Sequence, residues 1–347
     1  MAFTSKDVAR AAGVSQSTVS YVMSGKRPVS RETRERVMAA MEQLTYQPNA
    51  GARALAGRRT NVIGLVVPFT TNPVGVLPFI ETIASTARSH DHEVLLVTSD
   101  EGSAGLRRLA GRALCDAIVM MDVLADDERV PVAASLGIPV VLIGLPDDPA
   151  GLRCIDLDFA LGARMAVEEL AKTGHDRITV IGYADQMNKR GQNFVPRFLD
   201  AAQKAARRLK VPLEILAPVE PGRAGGVTVV DQLLARPVSD RHGVIVAWDQ
   251  VIRPVLQAFS ARHVIPGRDI SVIGLCTDAD AEESDLTNVS EEPRDVSRRA
   301  METLFWLLEP TPGVPPPPIS LVRPRLTRRS TVMPAVRSGN RKGVPAA

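Results

Sequence analysis

No run of apolar residues in this 347-residue chain reaches the roughly 18 needed to cross a bilayer. The opening stretch, MAFTSKDVAR, contains no apolar segment that could act as an export signal, so a cytoplasmic location is expected and a membrane partner is not. Cysteine is scarce. Cys115, Cys154 and Cys276 are odd in number and far apart, which excludes a disulfide framework and a C-x-x-C metal or redox site. Catalytic signatures are also missing: there is no G-x-S-x-G, no G-x-x-x-x-G-K-[ST] and no H-E-x-x-H. The five histidines, His90, His92, His175, His242 and His263, show no ligand spacing. Accordingly no enzyme activity, no cofactor and no metal is expected.

What is present is an ordinary globular composition, 45% hydrophobic and 23% charged, in a chain long enough for two or three domains. The charge is unevenly spread. Residues 1–60 carry ten Lys and Arg against four Asp and Glu, a net +6, which leaves −3 for the remainder of a chain whose total is +3. A basic head on a mildly acidic body suits a module that meets a polyanion.

Within that head, DVARAAGVSQSTVSYVMSG (7–25) reads as two short helices joined by a tight turn. Val8, Ala9 and Ala12 give the first helix an apolar face, Gly13 breaks it with a positive φ, and Ser15 is placed to cap the second. Val14, Val19 and Val22 then face inward, and Gln16, Ser17, Ser20 and Tyr21 face outward. A third helix after Ser30, with Val37, Met38, Met41 and Leu44 as its inner residues, closes a three-helix core. A generic helical pair obeys the same core rules, so the hairpin alone does not decide between a structural and a DNA-reading role.

From residue 61 onward, apolar strands alternate with helical stretches: NVIGLVVP, EVLLVTS, AIVMM and IPVVLIG, then a second series of RITVIG, GVIVAW and ISVIGL. That alternation predicts parallel sheets with helices on both faces, in two halves with a cleft at the carboxyl ends of their strands. The proline run 315–318 reads as an extended connector.

The hairpin together with YQPNAGARALAGRRTNVIGLVVP (46–68) resembles the lactose-repressor/galactose-repressor (LacI) family of bacterial transcription regulators. The motif residues are Pro48, Asn49, Ala52, Arg53 and Leu55, then Ile63 to Pro68. The body is similar to the family's effector domain as far as about residue 335, with LGARMAVEELAKTGHDRITVIG (161–182) and LTNVSEEPRDVSRRAMETLFWLL (286–308) as recognisable segments.

The resemblance implies an N-terminal all-α helix-turn-helix domain of three helices (1–46), a hinge helix or linker (47–60), and a periplasmic-binding-protein-like α/β core (61–335). The core would have two parallel-sheet subdomains, about 61–160 with 290–320 and 161–289 with 321–335, followed by a flexible tail (336–347). The implied function is a sequence-specific repressor that binds a pseudo-palindromic, double-stranded operator as a homodimer, with its affinity set by a small-molecule effector. Gln16, Ser17 and Tyr21 would read bases, and Leu55 would wedge into the minor groove. Ser5, Thr18, Ser20, Ser30, Thr33, Arg34, Asn49 and Arg53 would hold the DNA backbone. The hinge, weakened by Gly51, is expected to order only on DNA.

For the effector, the resemblance points to Arg190, Trp248, Asp249, Cys276, Phe69, Asn72 and Asp147. Trp248 and Cys276 stand where relatives carry the Asn and Asp that hydrogen-bond sugar hydroxyls, so a monosaccharide held in the usual way is not expected. Trp248 either stacks on a planar ligand or fills the cleft of a regulator without an effector. The tail lacks leucine heptads, which favours a dimer. The competing reading, a solute-binding protein sharing only the core, is opposed by the hairpin and the lack of an export signal.

Overall fold

The computed structural model describes residues 3–24, 27–46, 59–67, 75–98, 101–184, 187, 189–236, 241–310 and 312–334. Asn49, Arg53, Leu55, Phe69 and Asn72 lie outside the described residues, as do hinge residues 47–58 and the tail from 335.

Three helices open the chain: α1 (Ser5–Ala12), α2 (Gln16–Ser24) and α3 (Arg31–Gln43). Gly13 ends α1 at φ 65°, a left-handed conformation that a β-carbon would oppose, and the Val14 N–H bonds the Ala9 carbonyl at 3.0 Å. Ser15 Oγ accepts from the Thr18 N–H at 3.1 Å and Ser30 Oγ from the Thr33 N–H at 3.2 Å, so both later helices start on serine caps. Val8, Ala9, Ala12, Val19, Val22, Val37 and Ala40 form the core, with Val14, Met41 and Leu44 against it. Met38 is not part of it. It is 56% exposed, because the inner face of α3 runs through Val37, Ala40, Met41 and Leu44, and Met38 sits about 100° round the helix from Val37.

The body holds two six-stranded sheets. In the first, β1 (Val62–Val66), β2 (Glu93–Val97), β3 (Ala117–Met120), β4 (Val140–Ile143), β5 (Arg153–Leu157) and β11 (Ile319–Val322) lie in the order β11-β5-β4-β3-β1-β2, all parallel. Its helices are α4 (Leu77–Ser89), α5 (Gly102–Gly111), α6 (Arg129–Ser135) and α12 (Pro293–Leu308). β3 and β4 are buried throughout, as strands covered on both faces must be.

The second sheet comprises β6 (Arg177–Ile181), β7 (Leu213–Leu216), β8 (His242–Val246), β9 (Ser271–Leu275), β10 (Thr287–Val289) and the short β12 (Leu326–Thr327), in the order β12-β10-β9-β8-β6-β7. It is parallel except for β12, which runs antiparallel to β10. α7 (Phe159–Lys172), α8 (Phe194–Leu209), α9 (Gly222–Leu234), α10 (Asp249–Ala261) and α11 (Asp278–Glu282) belong to this half. The chain passes between the halves after β5, after β10 and after β11. These passages place the carboxyl ends of both sets of strands around one cleft.

Candidate DNA-reading helix and effector cleft

The start of α1 is fixed by Asp7, whose Oδ2 accepts from the Thr4 N–H at 2.9 Å and from the Thr4 hydroxyl at 2.7 Å. These bonds hold its carboxyl below the ordinary carboxylate range. The fixed α1 end matters because Ser5, its first residue, accepts from Gln16 Nε2 at 2.8 Å. A residue expected at the DNA backbone thus touches one expected at the bases. Gln16 and Ser17 are exposed, whereas Thr18, Ser20 and Tyr21 are half-buried. Arg27 stands over the Tyr21 ring, with its guanidinium carbon 5.2 Å from the centroid. Ser30 donates to the Thr33 hydroxyl at 2.8 Å, and the exposed Arg34 lies one residue further along α3. One surface therefore offers amide, hydroxyl and guanidinium groups beside the amino end of α2, where backbone N–H groups point outward.

The cleft encloses a cavity of about 240 Å³. Its residues come from loops and helix starts at the carboxyl ends of the strands: Asp122 after β3, Asp156 in β5, Tyr183 after β6, Trp248 and Asp249 after β8, and Glu291 after β10. Phe79, Phe159 and Phe194 supply further aromatic wall, and Phe159 stacks on Phe194 with centroids 4.9 Å apart. Trp248 caps α10 in an extended conformation, and the Asp249 carboxylate accepts from the Gln250 N–H at 2.8 Å.

Of the expected effector residues, Trp248 and Asp249 line this cavity; Arg190, Cys276 and Asp147 do not. Arg190 stands at the cavity's edge, paired with Asp122, 3.6 Å from its guanidinium. Cys276 is 2% exposed in the core of the second half, and burial pushes its thiol far above the usual range. Its neighbour Thr277 caps α11 by accepting from the Asp280 N–H at 3.2 Å. Asp147 is an exposed loop acid whose Oδ1 lies 3.3 Å from Asn193 Nδ2.

Tyr183, Gln192, Asp122, Asp156 and Glu291 were not foreseen from the sequence. The position of Tyr183, directly after the strand RITVIG, was the available signal. Among the described residues its hydroxyl is buried without a hydrogen-bond partner, as are Trp248 Nε1 and Gln192 Oε1. Burial, then the charges of Glu291 and Asp249, raise the Tyr183 hydroxyl well above its ordinary value. Burial likewise raises the Glu291 carboxyl, and Asp249 and Asp280 add to the shift. Asp156 is raised by burial too, against the opposing pull of Arg197, whose Nη1 lies 2.5 Å from its carboxylate.

The model for "Bacterial regulatory proteins, lacI family" matches residues 4–49, and that for "Periplasmic binding protein-like domain" matches 167–332. The transcriptional regulator RafR of Escherichia coli is 32% identical over 242 residues, covering 67% of this chain and 69% of RafR. The transcriptional regulator RegA of Clostridium saccharobutylicum is 27% identical over 314 residues, covering 89% of this chain and 93% of RegA. Among solved structures, the Lac repressor dimer bound to operator and an anti-inducer superposes with a TM-score of 0.79 at 24% identity, covering 96% of this chain and 100% of that one. A complex of the regulator CelR with cellobiose gives 0.64 at 24% identity, covering 95% and 99%.

Proposed function

The chain belongs to the LacI family of bacterial transcription regulators, and we propose that it represses transcription as a homodimer on a pseudo-palindromic operator, with a small molecule in the cleft altering its affinity. The observation that carries this reading is the union of two parts in one chain. A capped α1–α2 hairpin exposes Gln16 and Ser17, and a two-lobed body encloses a cavity walled by Trp248 and Tyr183. Twofold symmetry in the protein would be matched by twofold symmetry in the DNA. Gln16, Ser17 and Tyr21 read base edges, and Ser5, Thr18, Ser20, Ser30, Thr33 and Arg34 hold phosphates. In the hinge, Asn49 and Arg53 add backbone contacts and Leu55 enters the central minor-groove step.

A ligand that fits only one relative setting of the two lobes biases the spacing of the two hinges, which is how a cleft 240 Å³ in volume can act on DNA. The protein works in the cytoplasm and catalyses no reaction. Among the described residues no helix is long and apolar enough to cross a membrane.

Selection of the full-length protein against a random duplex pool at fixed salt tests the reading. Enrichment of a palindrome with a central C-G step is expected. Failure to enrich any motif, with or without a metabolite mixture, overturns it.

A further inference from the structure

We propose that the cleft takes a small organic cation, an ammonium or amidinium, with the Glu291 carboxylate as its counter-ion and Trp248 and Tyr183 as aromatic walls that also hydrogen-bond it. The proposal deepens the effector reading above and rests on it.

Charge is the first ground. Four carboxylates line the cavity, and the arginines at its edge are directed to two of them: Arg190 to Asp122 at 3.6 Å and Arg197 to Asp156 at 2.5 Å. No hydrogen bond or ion pair reaches the Glu291 carboxyl among the described residues. The titratable groups within its electrostatic reach are Asp249 at the start of α10, Asp280 on α11, Tyr183 after β6 and Cys276 after β9. None of these can carry a positive charge. A carboxyl removed from water beside other acids is costly when ionised, and a bound cation offsets that cost whereas a neutral polyol does not.

The second ground is independent of charge. Trp248 and Tyr183 are 5% and 3% exposed, and both line the cavity with a polar atom that has no partner among the described residues: the indole N–H and the phenol hydroxyl. Buried polar groups are nearly always hydrogen-bonded, so two orphans on one cavity wall mark groups that await a ligand. Gln192 Oε1, a third orphan, adds an acceptor at the same cleft. The rings have a further use, since the face of an indole or phenol attracts a desolvated cation. A ligand with a cationic donor for Glu291 and Gln192 and an acceptor within reach of the Trp248 N–H and the Tyr183 hydroxyl satisfies all three orphans. Because burial and its acidic neighbours favour the protonated Glu291 when the cavity holds no cation, cation binding releases a proton to buffer.

The test uses the full-length protein and matched probes: benzamidinium and benzylammonium, their neutral isosteres benzamide and benzyl alcohol, and glucose and cellobiose. Calorimetry in two buffers of different ionisation enthalpy gives affinity and proton release together. The expected result is that the cations bind at least about tenfold more tightly than their isosteres and release protons. Glu291→Gln should remove that preference, and its melting curve checks that it folds. Trp248→Phe, which keeps a ring and loses the N–H, should weaken all probes.

Equal affinity for cation and isostere, an unaltered preference in Glu291→Gln, or no binding by any cation overturns the proposal. Anisotropy on the selected duplex separates the two levels of failure. A sugar that binds and shifts duplex affinity overturns the cation but retains the effector, whereas a ligand that binds without any shift removes the effector reading itself.

Discussion

Gln192 donates through Nε2 to Asp122 Oδ1 at 2.7 Å, joining the second half of the body to the first across the cleft. Its neighbours act in the same sense. The Gly191 carbonyl accepts from the Ala125 N–H at 2.7 Å, and Asn193 Nδ2 donates to the Leu145 carbonyl at 2.7 Å. Residues 190–193 therefore form a latch made of polar bonds, which can open into water at small cost, unlike an apolar seam. An uncharged-to-carboxylate hydrogen bond contributes roughly 1.5–3 kcal/mol. Gln192→Ala is thus expected to shift the lobes toward the open form by about ten- to a hundredfold. Faster amide exchange at Ala125 and a larger radius of gyration would report the opening. Unchanged exchange at Ala125 would show that the latch does not hold the lobes.

Below the latch, Arg197 reaches from α8 to Asp156 and to the Leu157 carbonyl, 3.1 Å from its Nη2. Both partners are largely buried, so removing one leaves the other charge without compensation. Arg197→Met is expected to cost about 3–5 kcal/mol. Arg197→Met with Asp156→Asn should recover most of that loss, because the stranded carboxylate is gone. Denaturant unfolding of the four members of the cycle gives the coupling, and a double variant no more stable than Arg197→Met would refute the pairing.

The lobes and the latch differ in how far local sequence reveals them. β-branched runs such as RITVIG and GVIVAW, spaced by helical stretches, dictate parallel pairing because only a helical crossover can return the chain in the same direction. Gly13 and Ser15 were equally readable, since a left-handed turn and a helix cap are local demands. Met38 was misassigned because a run of apolar side chains does not say which of two adjacent ones faces inward. The cleft was harder. Glu291 and Asp249 are 42 positions apart in the numbering and meet only because β8 and β10 end on the same side of one sheet. Arg190 was indicated by the resemblance, but its setting depends on Asp122, a residue of the other lobe.

On the DNA side, the Gln16–Ser5 contact, 2.8 Å long, gives a way to separate base reading from backbone holding. Gln16→Ala should relax preference at one base position in each half-site, at a cost of about 1–3 kcal/mol against the preferred sequence. Ser5→Ala should weaken every sequence and, by freeing the Gln16 amide, also broaden preference at that same position. Tyr21→Ala should also change half-site preference, while Arg34→Ala should lower the salt slope by about one unit with no change in preference. Leu55→Ala should weaken specific more than nonspecific binding, and equal losses on both would sink the wedge. Selection profiles and salt titrations of each variant supply the comparison. A uniform loss for Gln16→Ala would make it a backbone contact.

The pH dependence of stability has two limbs with opposite signs. His242 Nε2 meets the Thr179 hydroxyl at 2.8 Å, its Nδ1 has no partner among the described residues, and burial, aided by Arg177, pushes the imidazole down to about 4. The unfolded chain takes up that proton near the ordinary value of 6.5. The neutral ring therefore stabilises the fold fully above 6.5, and the contribution is lost as pH falls from 6.5 toward about 4. Glu291 behaves in the opposite way. Its raised carboxyl keeps a proton that the unfolded chain has already released, so stability declines as pH rises from the ordinary glutamate value of 4.5 toward the folded one. The two windows overlap above pH 4.5, where the opposing slopes offset each other, so each contribution is read by removing its group. His242→Gln should remove the rise of stability with pH and Glu291→Gln the fall, each changing the melting temperature by on the order of 3 °C at the end of its window. A Glu291→Gln variant whose melting temperature still declines with pH as steeply as the parent's would show that Glu291 is not the group behind that decline.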